Sequence, residues 1–177
     1  AYTECEVAIS SQIVVIKDSN PRAADVDEVL RSHVEQLQSY LKAELQIDEK
    51  ECLAQIFDKT LEQIFIENRL YKNIEEVEEY ENVYKVLDKS FKPYLELLER
   101  VPVKEDYERL LNIPIRRIGR FDIQKNQEDI KAIGAKLQKV RSQLKKIKEF
   151  TINYLKGLID KYGDEFPRKT RIKRLEE

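Results

Sequence analysis

The chain has 177 residues, of which 37% are charged and 41% are hydrophobic, and it contains only four glycines and five prolines. A hydrophobic share of this size excludes a disordered chain, and the scarcity of helix breakers among many Glu, Lys, Leu and Ile residues favours long helices. The net charge of −2 gives no direct indication of a nucleic-acid partner.

The N-terminal residues have the pattern of short strands. The alternating segment 5–9 and the β-branched run 13–16 predict two strands that are joined by a turn at Ser10 and Ser11. Two strands alone are barely stable in water, so we expect them to pack on the helices or to pair with further strands. Residues 18–21 predict a loop and the start of a helix.

The first long helix is predicted to run from about Ala24 to Phe57. Apolar residues recur there at spacings of three and four, and neither Gly nor Pro interrupts the pattern. Asp58 or Thr60 is predicted to cap or kink this helix, and a second amphipathic helix covers residues 61–70.

The middle of the chain predicts several shorter helices. The first covers residues 74–87, the second surrounds Pro93, and the third covers residues 104–111. Residues 113–118 form a compact segment in which apolar and basic residues are mixed.

The last helix carries the clearest pattern, with heptad position a starting at Ile123 and position d starting at Asn126. Nine of these eleven a and d residues are apolar, and the exceptions are Asn126 and Thr151. A period of 3.5 residues held over about five heptads predicts a coiled-coil seam. The predicted seam residues are Ile130, Ile133, Leu137, Val140, Leu144 and Ile147. A helix over residues 121–162 would be roughly 60 Å long, and Gly163 would end it.

Two long helical segments that are separated by shorter helices predict a hairpin. The expected fold class is mainly α: a long antiparallel two-helix coiled coil with a small helical head at its tip and a short β segment at the N-terminus. The outgoing helix would cover residues 21–58, the head residues 59–120, and the returning helix residues 121–162. The alternative is a parallel dimeric coiled coil without a hairpin, which would leave the first apolar stripe without a partner.

Sequence motifs of catalysis are absent. No zinc-protease, phosphate-loop, dinucleotide-binding or serine-hydrolase motif occurs, so we expect no catalytic residue, no metal site and no cofactor in this chain. The single histidine, His33, is interpreted as a residue at the edge of the core. Cys5 and Cys52 lack metal-binding spacing and follow no signal peptide, so they are expected to be free thiols in a reducing cytosol. No apolar run approaches the roughly 20 residues that span a bilayer, so we expect no membrane partner.

Basic residues form two groups. Those between Lys136 and Lys148 lie away from the seam and are interpreted as a solvated helix face, although they could contact phosphates. A denser cluster follows the predicted helix end and could equally contact a DNA backbone or solvent. Its members are Arg168, Lys169, Arg171, Lys173 and Arg174.

Four segments resemble one known family in the same order. Residues 110–122, with the sequence LLNIPIRRIGRFD, resemble the helix-turn-helix near the tip of the coiled-coil arm in the DNA-cleaving A subunits of bacterial type IIA topoisomerases (DNA gyrase and topoisomerase IV). Residues 65–71 resemble the helix that leaves the outgoing arm, residues 154–170 the end of the arm, and residues 6–9 the tower strand. Arg171 departs from the family pattern, which usually has Glu there. The resemblance covers nearly the whole chain and is closest to the topoisomerase IV-like branch.

This resemblance implies a structural part of a DNA topoisomerase. Residues 1–20 would be a remnant of the tower domain, and residues 163–177 a basic tail that returns toward it. The head would form an exit gate in a homodimer, within a bacterial, nucleoid-associated complex that also contains the ATPase (the B subunit) and double-stranded DNA. Mg²⁺ and ATP would be bound in other domains or subunits, and Tyr2 is not expected to be the catalytic tyrosine. The implied gate residues are Leu110, Leu111, Ile113, Ile115 and Ile118, which could alternatively only pack the head against the arm.

Two other functions remain open at this point. The chain could be a cytosolic coiled-coil adaptor that binds a partner helix along residues 123–158, or an autonomous DNA-binding protein. An intramolecular hairpin would argue against the adaptor, because the seam would already be occupied. Steeply salt-dependent binding of DNA would indicate the third function.

Overall fold

The structure is a computed structural model that describes residues 13–17, 19–75, 77 and 80–167. These residues form a small antiparallel sheet followed by helices, so the prediction of a mainly α fold with a short N-terminal β segment is confirmed. The elements are β1 (Ile13–Lys17), β2 (Asn20–Ala24), α1 (Val26–Glu67), α2 (Tyr80–Phe91), α3 (Lys104–Leu111), α4 (Ile115–Ile118), α5 (Ile123–Lys145) and α6 (Ile147–Tyr162), with 3₁₀ helices at Leu70–Ile74 and Lys92–Leu97.

The sheet pairs β1 with β2 in antiparallel register. The predicted strand at residues 13–16 is confirmed, but the prediction of a loop over residues 18–21 is wrong, because a second strand already begins at Asn20. The chain reverses at Ser19, whose φ is 64°. Pro21 lacks an amide hydrogen and is tolerated because, among the described residues, the sheet has only these two strands and each is an edge strand. The other predicted strand, at residues 5–9, lies outside the described residues.

Helix α1 is continuous through the predicted break at Asp58 and Thr60, so that prediction is wrong. A mid-helix Asp can compete with the helix by bonding to nearby backbone, but the Asp58 carboxylate instead accepts a hydrogen bond from Arg109 at 2.6 Å. The following turn is held by the burial of Leu61 and Phe65, each 2% exposed. Tertiary contacts therefore keep the helix intact where local propensity favours an end.

The returning helix is interrupted, whereas the heptad pattern predicts a single helix over residues 121–162. At Lys146 the backbone leaves helical geometry, with φ −115° and ψ 40°, and its amide bonds to the carbonyls of both Ser142 and Gln143. Neither Gly nor Pro marks this break in the sequence. The predicted end at Gly163 is confirmed, and a Cβ at this position would lie only 2.5 Å from the carbonyl oxygen of Ile159.

The chain divides into two compact units. The first combines Ala1–Ala43 with Ile147–Glu177, and the second is Glu44–Lys146, so that α1 contributes to both. In the first unit Leu41 and Thr151 are buried, and the Thr151 hydroxyl donates to the carbonyl of Ile147 at 2.8 Å.

The second unit contains the helical core, to which α1, α2 and α3 all contribute. Phe91 is fully buried and stacks on Tyr107, with ring centroids 5.8 Å apart. The Tyr107 hydroxyl donates to Asp88 at 2.6 Å, and burial together with this bond raises the pKa of Tyr107. The members of the helical core are Phe57, Leu61, Ile64, Phe65, Ile66, Leu70, Val83, Leu87, Phe91, Tyr107 and Leu110.

Within the second unit, α5 lies antiparallel to the C-terminal part of α1. Lys59 pairs with Asp129 at 2.8 Å, whereas Glu49, about three turns earlier in α1, pairs with Arg141 at 2.6 Å, further along α5. Residue numbers therefore fall along α1 as they rise along α5, which is the order of an antiparallel pair.

Asn126 is a buried polar residue at a d position between these helices. Its side-chain amide donates to the carbonyl of Lys59 and to the Gln63 side chain, both at 3.2 Å, and it is 7% exposed. A single buried Asn in a seam fixes register and lowers stability.

We therefore expect Asn126→Leu to raise the free energy of unfolding by about 1 kcal/mol, since one desolvated amide is removed. Chemical denaturation followed by circular dichroism measures this change, and Gln127→Leu, an exposed neighbour, is the control.

Candidate dimerisation surface

The start of α3 is fixed by a carboxylate that is 1% exposed. Arg100 donates two hydrogen bonds to Asp106, at 2.5 and 2.9 Å, while its guanidinium lies 3.8 Å from the centre of the Phe57 ring. The amide of Val103 donates to the same carboxylate at 2.9 Å, and Arg109 adds a further ion pair. Burial alone would raise the pKa of Asp106, but these hydrogen bonds outweigh burial and lower it to about 2.

Sequence reasoning missed this Asp106 cluster. One signal was present, because an acidic residue in the third position of a helix often bonds back to the residue before the helix. The arginine at position 100 lies in an irregular segment, however, and no periodicity connects it to Asp106.

Two ion pairs attach α3 and α4 to α1. Arg109 binds Asp58 at 2.6 Å. Arg117 Nη2 donates to Glu62 Oε2 at 2.9 Å, and Arg117 Nε lies 2.9 Å from Glu62 Oε1, which accepts no hydrogen bond. The Glu62 side chain is only 14% exposed. These two ion pairs connect α3 and α4 to α1.

The five predicted gate residues lie in different environments. Leu110 is a buried member of the helical core, and Leu111, Ile113 and Ile118 are partly buried against that core. Ile115, the first residue of α4, is 86% exposed. The structure therefore brings four of these side chains to the core and its margin and leaves Ile115 on the surface.

Other apolar side chains of the same unit are exposed, although no sequence pattern marks them. Leu97, at the end of a 3₁₀ helix, is 67% exposed, and Val101 and Val103, between that helix and α3, are 64% and 49% exposed. Single exposed apolar residues are normal on protein surfaces, so exposure by itself assigns no role to them.

The predicted seam residues all lie on the less exposed side of α5 and the start of α6. Leu137 and Val140 are buried, with exposures of 6% and 4%. The half-buried members are Ile130, Ile133, Leu144 and Ile147. The predicted DNA-contacting cluster, Arg168 to Arg174, lies outside the described residues.

Neither a membrane span nor a metal site occurs in the described residues. None of their helices combines the length and the hydrophobicity that crossing a bilayer requires. In the same part of the chain no group of three or more His, Cys, Asp or Glu residues is arranged to hold a metal ion.

Comparison with known proteins identifies the family. The profile that describes the A subunits of DNA gyrase and topoisomerase IV matches residues 1–156. The A subunit of DNA topoisomerase 4 from Borreliella burgdorferi is 37% identical over 171 residues, which is 97% of this chain but 27% of the relative. The chain thus spans about a quarter of the length of that curated protein, and no solved structure matches it. With more than half of its residues matched by the family profile, the chain belongs to the family of DNA gyrase and topoisomerase IV A subunits.

Proposed function

We propose that this chain forms the coiled-coil arm and exit gate of the DNA-cleaving subunit of a type IIA topoisomerase. The family membership supports the parent activity, in which one DNA duplex is passed through another. The antiparallel pairing of α1 with α5 and the helical core beside it support an arm that ends in a head. The role of the chain itself is structural and dimerising, and the catalytic residues lie in other parts of the enzyme.

The observation that carries the gate assignment is the exposure of Ile115 on a helix that is joined to α1 by an ion pair. The ion pair between Arg117 and Glu62 holds α4 to α1, and Ile118 packs against the helical core. Ile115 is presented to solvent on this helix, at 86% exposure. A two-fold dimer contact would bury this side chain in each of the two chains. At 1.5–3 kcal/mol per side chain, the two together would contribute about 3–6 kcal/mol.

The proposal extends to the partners of the whole protein. The head would close on a second copy of the chain, and the dimer would act with the separate ATPase chains on double-stranded DNA. ATP and Mg²⁺ would be bound by other domains or subunits, and the complex would work at the bacterial nucleoid in the cytoplasm.

The competing function is a coiled-coil adaptor that binds a partner helix along α5. One observation disfavours it. Asn126 already donates to α1, and Lys59 and Glu49 of α1 pair with α5 residues. A partner helix would have to displace these contacts in the second unit.

We expect Ile115→Glu to weaken self-association of the chain at least tenfold, because a carboxylate would be buried at the two-fold contact. Sedimentation equilibrium at micromolar concentrations measures this dissociation constant. Ile159→Glu is the matched control, since Ile159 is 67% exposed and lies on α6. A purely monomeric wild-type chain, or equal weakening by both substitutions, would contradict the gate assignment.

A further inference from the structure

A groove of about 580 Å³ lies where α4 meets α5. We call it the basic groove, because four of the nine residues around it are cationic. The basic groove is lined by Pro114, Arg116, Arg117, Arg120, Phe121, Asp122, Lys125, Asn126 and Asp129.

The acidic residues of the basic groove are already engaged. The Asp122 carboxylate accepts a hydrogen bond from the amide of Lys125 at 3.1 Å and so caps α5. Asp129 binds Lys59 at 2.8 Å, and this hydrogen bond lowers the pKa of Asp129. Neither carboxylate forms an ion pair with an arginine of the groove in the described part of the chain, and the four cationic side chains outnumber the two carboxylates.

The cationic residues are engaged unequally. Arg117 is held by Glu62 through an ion pair that contains one hydrogen bond of 2.9 Å. Arg116 and Arg120 are exposed, and neither forms an ion pair with any residue in the described part of the chain. Two unneutralised guanidinium groups therefore lie at the same groove.

We propose that the basic groove binds phosphates of the DNA backbone, an inference that rests on the proposed function of the chain as the exit gate. Planar guanidinium groups match the geometry of phosphate oxygens and can bind them through paired hydrogen bonds. In a two-fold dimer closed at Ile115 the two basic grooves carry the same sign of charge, so they do not neutralise each other. Duplex DNA leaving through the gate carries closely spaced phosphates and supplies the charge that the groove lacks.

The test is DNA binding by the full chain, measured by fluorescence anisotropy with a duplex of about 20 base pairs at about 50 to 200 mM salt. We expect Arg116→Gln combined with Arg120→Gln to weaken binding about tenfold or more at about 100 mM salt. The slope of log affinity against log salt should fall by about 1.8, because two phosphate contacts are lost. Lys89→Gln combined with Lys92→Gln removes the same charge from exposed positions at and just after the end of α2 and should weaken binding less than about threefold.

Repeating the measurement in an Ile115→Ser background separates this inference from the gate assignment. The basic groove belongs to one chain, so the arginine substitutions should have the same effect when the proposed dimer contact is removed. An effect that disappears in this background overturns the inference, because the arginines would then act through dimerisation. Equal losses from the arginine and lysine pairs, or displacement of DNA by polyglutamate at equal charge concentration, would also overturn it.

Discussion

Replacing Phe91 with Ala should lower the free energy of unfolding by about 3–5 kcal/mol, the range for large buried aromatic residues. Phe91 is fully buried at the end of α2 and stacks on Tyr107 of α3. The truncation would leave a cavity between two helices that are joined by an irregular segment. Because Tyr107 is also fixed through its bond to Asp88, its ring cannot readily move into the vacated space.

Chemical denaturation followed by circular dichroism measures this loss. Phe166→Ala removes the same side chain where it is 78% exposed, and it should change stability by less than about 0.5 kcal/mol. A loss below about 1 kcal/mol for Phe91→Ala would mean that the helical core does not depend on the stacking of α2 against α3.

Local sequence patterns predicted the bounds of helices well where tertiary packing and helix propensity favour the same ends. The predicted helix at 104–111 has the bounds of α3, because it follows an extended Val-Pro-Val segment and carries acidic residues in its first turn. The continuity of α1 through Asp58 could not be predicted, since it depends on Arg109, 51 residues later in the chain. The break at Lys146 could not be predicted either, because the heptad pattern passes through it unchanged.

The candidate site was predictable only in part. The mixture of apolar and basic residues over 113–118 indicated an unusual segment, and the resemblance assigned its three isoleucines and two preceding leucines to the gate. Periodicity gives the apolar faces of a helix, but it does not say which face meets the core of the same chain. Ile115 is exposed and Ile118 packs inward in a helix whose Arg117 pairs with Glu62, 55 residues away in sequence. The same long-range contact determines which arginines of the basic groove remain unneutralised.

Replacing Asp106 with Asn should lower the free energy of unfolding at about pH 7 by about 2 kcal/mol. The carboxylate is 1% exposed and accepts charge-assisted hydrogen bonds from Arg100 and Arg109, each of which contributes about 1.5–3 kcal/mol when the partner is charged. Both arginine side chains are about half exposed, at 48% and 54%, so they regain water when the carboxylate is lost. The expected loss is therefore smaller than that for a fully buried ion pair.

The pH dependence of stability tests the same cluster in the wild-type chain. The pKa of Asp106 is lowered from 3.8 to about 2 in the folded state. Its stabilising contribution should therefore be complete above about pH 5 and should be lost as the pH falls from about 4 through 2, by on the order of 2 kcal/mol. Asp106→Asn should flatten this part of the profile, whereas Glu105→Gln, an exposed neighbour in the first turn of α3, should leave it unchanged. An acid profile that is the same in the wild-type chain and in Asp106→Asn would show that the carboxylate is not held ionised by the two arginines.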